Sequence, residues 1–162
     1  LINFADTIGI NPTLLNAVEK TNQKQIQNIV SLIEKTLGTL ASKQITVLGT
    51  AFKPNTDDIR DSIAIELIKK LLKKKSRITI YDPKAMKNTK DVFGEKIIYA
   101  RSATEALNKS QCAILMTHWK QFGKLNNSSI KHMKKKFVID CRRILVEKRL
   151  QAEYHAIGIG KI

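Results

Sequence analysis

An alternation of short β-branched runs with amphipathic helical patterns is the feature that most limits the fold of this chain. Residues 45–49 (ITVLG) and 77–81 (RITIY) have the composition of strands. Between them, residues 62–75 carry apolar side chains on one helical face: Ile63, Ala64, Leu67, Ile68, Leu71 and Leu72. A strand–helix–strand order predicts a right-handed crossover between parallel strands. Further elements continue the pattern, with strands at 97–99, 112–117 and 137–140 and helices near 102–109, 126–134 and 144–150. The sequence therefore predicts an α/β fold with a doubly wound, mainly parallel, Rossmann-like sheet.

A long amphipathic helix over residues 12–37 precedes this predicted sheet. Pro12 suits the first turn of a helix, and Gly38 suits its end. The apolar positions recur three, four or eight residues apart: Leu15, Val18, Ile26, Ile29, Ile33 and Leu37. Asn22 falls on this stripe, either as a hydrogen-bonded core residue or as a residue that sets the register of a partner helix. Because the stripe is long for a helix that covers one small sheet, we expect a two-fold dimer through it.

The loop after the first strand holds the main candidate site, since doubly wound sheets bind ligands beyond the carboxyl ends of their strands. This loop, GTAFKPNTDDIR (49–60), has one glycine where a G-x-G-x-x-G loop has three. It offers Lys53 and Arg60 around a rigid proline, which is typical of anion recognition by side chains. The alternative is an ordinary connection in which Asp61 or Ser62 caps the next helix, and composition alone favours that alternative.

Three other loops follow strands of the same predicted sheet. Asp82, in YDPKA, either accepts a hydrogen bond from a ribose hydroxyl or marks a turn. Arg142, in DCRR, has a guanidinium suited to phosphate or sugar oxygens, and we expect it on the same edge as Lys53. His118 has no carboxylate or cysteine at a recognisable spacing, which favours a loop residue over a catalytic one.

Composition and charge exclude several classes of protein. The chain has 162 residues, of which 43% are hydrophobic, and this suits one compact domain with an appended element. The net charge of +15 comes mostly from lysines, many of them in KKLLKKK (69–75) and KHMKKK (131–136). We expect solvated helix faces there and no nucleic-acid partner, because no aromatic-lined or helix-turn-helix pattern accompanies the charge. No apolar run approaches the ~20 residues of a membrane span, and the first residues do not resemble a signal peptide. A cytoplasmic protein with no membrane partner is expected.

The two cysteines indicate neither a metal site nor a disulfide. Cys112 and Cys141 fit no metal spacing, and both lie in apolar runs where small buried thiols are common. The chain begins with Leu1 in a segment that already has a helical pattern, so we expect it to be a piece of a longer protein.

Four segments, in this order and spacing, resemble the carboxy-terminal domain of the UDP-glucose/GDP-mannose dehydrogenase family: VLGTAFKPNTDDIRDS, IYDPKA, ILMTHWKQF and VIDCRRIL. LLNAVEKTNQKQ resembles the central dimerising helix of that family, and YHAIGIGK resembles its terminal segment. The FKPNTDDIR block is specific, and it looks more like the members that oxidise UDP-glucose than like those that oxidise GDP-mannose. The resemblance divides the chain into part of a central dimerisation helix (1–40) and a UDP-sugar-binding domain (41–162).

The resemblance implies oxidation of a sugar C6 alcohol to a carboxylate, with two NAD and a cysteine thiolate that holds the intermediate covalently. In the family, that cysteine and the NAD-binding domain come before the central helix. This chain is then expected to contain no catalytic residue and to be inactive alone. Carried over by motif, Phe52, Lys53 and Arg142 would contact the UDP-sugar, and Arg60 would reach the NAD bound mainly by the other domain.

Two positions depart from the family pattern. The family usually has glycine where Cys141 stands and often glutamate where His118 stands, and a side chain at 141 could crowd the cleft beside Arg142. A second function also fits the residues, namely a stand-alone nucleotide-binding or dimerisation module without redox chemistry. A cysteine in a glycine-rich run upstream of Leu1, preceded by a G-x-G-x-x-G domain, would decide for the enzyme.

Overall fold

The structure is a computed structural model, and it describes residues 1–161. The last position of the predicted domain, 162, lies outside these residues. The helices and strands follow in the order α1 (Ile2–Thr7), α2 (Thr13–Leu37), β1 (Gln44–Leu48), α3 (Ile63–Lys73), β2 (Arg77–Tyr81), α4 (Met86–Phe93), β3 (Ile98–Tyr99), α5 (Ala103–Leu107), β4 (Cys112–Leu115), β5 (Phe137–Asp140), β6 (Glu153–Ala156) and β7 (Gly160–Lys161). Short 3-10 turns occur at Gly94–Lys96, Lys120–Lys124 and Val146–Lys148.

One seven-stranded sheet, in the order β3-β2-β1-β4-β5-β6-β7, forms the centre of the fold. The strands from β1 to β6 pair in parallel, and β7 pairs antiparallel to β6. In the central register, Ile45 of β1 is opposite Ile78 of β2 on one side and Cys112 of β4 on the other. The direction of winding reverses between β1 and β4. The predicted doubly wound, mainly parallel sheet is therefore confirmed.

Apolar layers cover both faces of the sheet. Along β1, Ile45 and Val47 lie in the layer that contains α2 and α3, whereas Leu48 lies in the layer on the opposite face. Every residue of β4 and of β5 is buried. Strands covered on both faces read as continuous apolar runs, which explains why these two were recognisable in the sequence.

Only the second half of α2 packs against the sheet. Ile26, Ile29 and Ile33 are buried in the layer with α3. Val18, in the first half, is 51% exposed, and Asn22 is exposed as well. The interpretation of Asn22 as a core residue is therefore wrong within the described chain. The register-setting alternative stays a prediction.

The predicted helix over 126–134 does not form. The side-chain Oδ1 of Asn126 accepts hydrogen bonds from two nearby backbone amides, at 2.9 Å from Ser128 and 3.2 Å from Ser129, and so competes with helical backbone bonding. The segment makes successive turns instead. Ile130 and Met133 are buried three residues apart, which produced the helical pattern.

The predicted helix over 144–150 is reduced to the 3-10 turn at Val146–Lys148. Arg149 follows it in the left-handed region, at φ +43°, and ends it. Three further elements, α4, β6 and β7, were not predicted from the sequence. The apolar face of α4 is thin, since its buried residues are Thr89 and Phe93.

The lysine-rich segments lie at the surface. Lys73, Lys74 and Lys75 are exposed after the buried Leu71, at the point where the chain enters β2. Residues 134–136 are likewise exposed before β5. Within residues 1–161, no helix has both the length and the apolar character needed to cross a bilayer.

Candidate functional site

The candidate site lies at the carboxyl edge of the sheet, where β1, β4 and β5 end. The sheet winds in opposite directions from β1 and β4, and doubly wound folds bind nucleotides at such a switch point. Three segments meet there: 49–62 after β1, 116–119 after β4 and 140–145 after β5.

Gly49 allows the end of β1 to approach the end of β4 very closely. Its φ is +90°, and a Cβ at this position would lie 2.6 Å from Thr117 Cβ and 2.8 Å from the Thr117 backbone nitrogen. Thr117 Oγ1 also donates a hydrogen bond to the Ala51 carbonyl, at 2.7 Å. The single glycine of this loop thus serves strand packing. The contact between these two strand ends closes the base of the crevice, and the loop has no further glycine for the close backbone approach that a G-x-G-x-x-G loop offers to a pyrophosphate.

Asp82 connects the loops at this closed base. Its residue is 1% exposed, and Oδ2 accepts hydrogen bonds from the Thr50 amide (2.7 Å), the Ala51 amide (3.0 Å) and Trp119 Nε1 (3.1 Å). Oδ1 accepts two more from backbone amides just before α4, at 2.9 and 2.8 Å. Because protein donors occupy both oxygens, the structure supports the interpretation of Asp82 as a turn residue and not as a ribose contact.

Phe52 and Lys53 follow this anchored segment directly. The Phe52 amide donates to the Asp58 carbonyl at 2.8 Å, which closes a turn over residues 52–58. Asn88 of α4 supports the turn, since its Nδ2 donates to the Asp57 carbonyl at 2.8 Å. Phe52 is 52% exposed and Lys53 is exposed. The turn therefore presents an aromatic ring and an ammonium group at adjacent positions.

Arg60 is held by Asp58 in a bidentate ion pair. Arg60 Nε lies 3.0 Å from Oδ1, and Nη2 lies 2.8 Å from Oδ2. The hydrogen bonds from Arg60 lower the pKa of Asp58 to about 2, so both groups are ionised at neutral pH. The Arg60 side chain is nevertheless 86% exposed. It borders an open depression of about 470 Å³ lined by residues 56–60 and Asn88, and Lys53 is outside that lining.

Asp140, the last residue of β5, organises the loop that carries Arg142. Its buried carboxylate accepts hydrogen bonds from the amides of Arg142 (3.0 Å) and Leu145 (2.8 Å). The Tyr154 hydroxyl donates to the same carboxylate at 2.8 Å, and burial together with this bond raises the pKa of the Tyr154 phenol. Arg142 Nε donates to the Met116 carbonyl at 2.6 Å. The guanidinium therefore reaches from the end of β5 to the end of β4.

The predicted site residues share one edge but form two groups. Lys53 and Arg142 lie on either side of the segment 116–117, which contacts both of their loops. Arg60 lies beyond the 52–58 turn, just before α3. Ser62 occupies the position before α3, but its side chain makes no capping hydrogen bond.

His118 and Cys141 mark the departures from the family pattern. His118 is exposed. The Cys141 side chain packs against the apolar layer that contains α3, and burial raises the pKa of its thiol to about 12. A thiol with that pKa is protonated at neutral pH, so Cys141 is a poor nucleophile.

Trp119, Thr117 and Asp140 are the residues of this edge that sequence reasoning missed. A signal existed for Asp140, because a carboxylate at the end of a fully apolar strand is costly to bury without hydrogen-bond donors. Nothing in the sequence connects Trp119 with Asp82, which lies 37 positions away.

The fold and the carboxyl edge of the sheet together define a class of protein: a Rossmann-like α/β domain in which a loop with one glycine and several charged side chains replaces the glycine-rich loop. Residues 46–147 match the family model described as UDP-glucose/GDP-mannose dehydrogenase family, UDP binding domain. The chain belongs to this family, and the resemblance stated above is confirmed.

The chain is similar in sequence to named relatives over almost its whole length. It is 30% identical over 162 residues to UDP-glucose 6-dehydrogenase TuaD of Bacillus subtilis, covering 98% of this chain and 35% of that protein. It is 38% identical over 157 residues to UDP-glucose 6-dehydrogenase AglM of Haloferax volcanii, covering 97% and 36%. Among solved structures, a UDP-glucose dehydrogenase from Pyrobaculum islandicum superposes with a TM-score of 0.82 and 31% identity, over 94% of this chain and 34% of that one. The chain thus spans about a third of the length of these relatives.

Proposed function

We propose that this chain is the carboxy-terminal, UDP-sugar-binding part of an NAD-dependent nucleotide-sugar 6-dehydrogenase that converts UDP-glucose to UDP-glucuronate. The observation that carries the proposal is the match of a UDP binding domain to residues 46–147, which include all three loops of the carboxyl edge. The names of the relatives favour UDP-glucose as the sugar nucleotide. Residues 1–40 then belong to the central helix, and 41–162 form the UDP-sugar domain.

In this proposal, Lys53 and Arg142 bind the diphosphate and Phe52 contacts the nucleotide-sugar beside them. Lys53 is an exposed cation on an anchored loop. Arg142 is oriented through Nε, which is bonded to the Met116 carbonyl, and guanidinium groups bind phosphate through paired N–H donors. The exposed Phe52 ring offers a flat apolar surface next to these cations.

NAD, when bound, accepts hydride from the sugar, and we propose that a segment outside this chain holds most of it. The loop after β1 has a single glycine, which packs against Thr117, so it lacks the glycine-rich turn that holds a dinucleotide pyrophosphate. Arg60 lies on the other side of the 52–58 turn with an exposed guanidinium. We therefore propose that Arg60 contacts NAD, which is held mainly by that other segment.

We also propose a homodimer through the helix at 12–37. The exposed apolar side chains of the amino-terminal region support it: Phe4, Ile8, Ile10, Leu14, Leu15 and Val18. The exposed lysines of 69–75 and 131–136 stay solvated in this proposal, without a nucleic-acid or membrane partner. An enzyme that consumes NAD and a sugar nucleotide belongs in the cytoplasm.

Kinetics of the full-length enzyme test the two groups of residues separately. Lys53→Ala should impair UDP-sugar turnover by about 10- to 150-fold, which corresponds to the ~1.5–3 kcal/mol of a charge-assisted hydrogen bond. Arg60→Ala should instead raise the Michaelis constant for NAD. Lys96→Ala is the charge-matched control, because Lys96 is exposed and lies away from the carboxyl edge. It should change neither UDP-sugar turnover nor the Michaelis constant for NAD. If Lys53→Ala and Arg60→Ala lower thermal stability and leave both Michaelis constants alone, the loop is structural.

The isolated chain gives a second test. Residues 1–162, incubated with UDP-glucose and NAD, should form no NADH, because in this proposal NAD is held mainly by a segment outside the chain, and burial raises the pKa of the Cys141 thiol to about 12, which leaves it protonated. Steady NADH formation that Cys141→Ser abolishes would contradict the proposal. A full-length protein that binds UDP but never reduces NAD would instead favour a nucleotide-binding module without redox chemistry.

A further inference from the structure

Within residues 1–161, Asp82 is the only residue whose side chain forms hydrogen bonds with the loops after β1, β2 and β4. Oδ2 accepts three hydrogen bonds, from two adjacent backbone amides after β1 and from Trp119 Nε1 after β4. Oδ1 holds the start of α4 through two more. Asp82 is 1% exposed and Trp119 is 6% exposed, so water does not compete for these bonds.

The two amides that Asp82 binds belong to Thr50 and Ala51, which directly precede Phe52 and Lys53. Farther along, the turn over 52–58 is closed by the bond from the Phe52 amide to the Asp58 carbonyl at 2.8 Å, and Asn88 Nδ2 supports it by donating to the Asp57 carbonyl at 2.8 Å. Asp82 therefore holds the backbone that directly precedes the ring and the ammonium group. A displacement of the Ala51 amide would move both groups together.

We propose that Asp82 is the positioning residue of the UDP-binding loop, through which the turn into α4 and Trp119 hold Phe52 and Lys53 in place for a nucleoside diphosphate. This role rests on the proposed function of the edge. Asp82 itself does not touch the ligand in this role, because its own oxygens are occupied by protein donors.

The position of Asp82 requires a side chain with two oxygens that accept hydrogen bonds, as those of a carboxylate do. Its two oxygens accept hydrogen bonds and donate none, and the surrounding groups are all donors. An asparagine side chain has almost the same shape as Asp82, but its NH2 group would face either the donors at Oδ2 or the amides at Oδ1. The Asp82→Asn change therefore perturbs the loop without removing side-chain volume.

The test measures UDP affinity by titration calorimetry in the full-length protein, at a temperature where circular dichroism shows each variant to be folded. Asp82→Asn should raise the Kd for UDP by about tenfold or more, since small misplacements of binding groups have large effects. Hydrogen exchange of the Thr50 and Ala51 amides should accelerate in the same variant. Asp91→Asn makes the same chemical change at an exposed position of α4 and should alter neither quantity.

Each outcome separates the positioning role from the proposed function. Faster exchange and lower stability with an unchanged Kd would show a purely structural role and overturn the inference alone. A wild-type protein that does not bind UDP would overturn the proposed function, and the positioning role with it. If Asp82→Asn does not fold, Trp119→Phe is the second variant, because it keeps the carboxylate and an aromatic ring and removes only the Nε1 donor. Trp119→Phe should raise the Kd for UDP by about 2- to 10-fold. An unchanged Kd would again overturn the inference.

Discussion

Replacing Gly49 with alanine should destabilise the domain more than the same change at Gly158, and the difference measures the contact between β1 and β4. The two glycines have nearly the same φ, +90° and +89°. A Cβ at Gly158 would meet nothing within 4 Å, whereas a Cβ at Gly49 would lie 2.6 Å from Thr117 Cβ. Gly158→Ala is therefore a control for an alanine at positive φ without crowding.

The magnitude follows from two contributions. An alanine at positive φ costs about 1–3 kcal/mol at either position. Crowding adds about 1–3 kcal/mol at Gly49, the usual range for overpacking a filled region. Thr117 cannot relieve it by rotating its side chain, because its backbone nitrogen also lies 2.8 Å from the added Cβ. We expect a loss of about 2–6 kcal/mol for Gly49→Ala and about 1–3 kcal/mol for Gly158→Ala.

Urea denaturation followed by far-ultraviolet circular dichroism gives both free energies of unfolding, provided that the slopes agree. The gain in chain stiffness on replacing glycine acts through the unfolded state and is the same for both variants, so it cancels in the comparison. Equal midpoints for the two variants would refute the reasoning, because the close approach to Thr117 would then cost nothing.

Three further predictions concern assembly, titration and thiol reactivity. Val18→Asp should turn a dimer into a monomer in light scattering while circular dichroism shows an unchanged fold, since Val18 is 51% exposed, and Gln27→Asp at another exposed position of α2 should leave the dimer intact. Ile29→Asp is unsuitable as a test because Ile29 is 3% exposed and lies in the core. By NMR, Asp58 should titrate at about pH 2, and in Arg60→Ala its pKa should move back towards 3.8. Because the pKa of Asp58 is depressed in the folded state, the stabilising contribution of the pair is present above pH 3.8 and is lost as the pH falls through about 2. A pKa of Asp58 that is the same in Arg60→Ala as in the wild type would contradict the pairing. Burial raises the pKa of both Cys112 and Cys141, so both thiols should resist iodoacetamide at mildly alkaline pH until the protein unfolds, and rapid labelling of the native protein would count against this.

Much of the sheet could be predicted because burial on two faces leaves a visible signature in the sequence. The strands β1, β2, β4 and β5 read as apolar or alternating runs, and the parallel order then placed Lys53 and Arg142 on one edge. The helix predicted over 126–134 failed for a local reason: the Asn126 side chain bonds to backbone amides, which a periodicity of apolar residues does not register.

The details of the site depended on contacts that the sequence does not display. Arg60 was predicted from its place in the loop, but its bidentate pair with Asp58 requires the backbone geometry of that turn. Asp82 had two interpretations of equal standing, and the choice between them depended on hydrogen-bond donors from the loops after β1 and β4, Trp119 among them. The exposed residues proposed to bind the ligand could thus be predicted from the sequence, whereas the buried residues that hold their loops in place could not.

The bonds around Asp82 also limit the order in which the loop can be completed during folding. Thr50 and Asp82 are 32 positions apart, Asp82 and Trp119 are 37 apart, and Thr117 and Ala51 are 66 apart. Each of these closures restricts a long stretch of chain and is made only after the entropy of that loop has been lost. The strand pair β1 and β2 can form early, with only the helix between them, but the base of the loop stays incomplete until β4 inserts beside β1. During synthesis, the base of the loop can therefore be completed only after residue 119 has left the ribosome, and the ligand edge, which includes Arg142, only later.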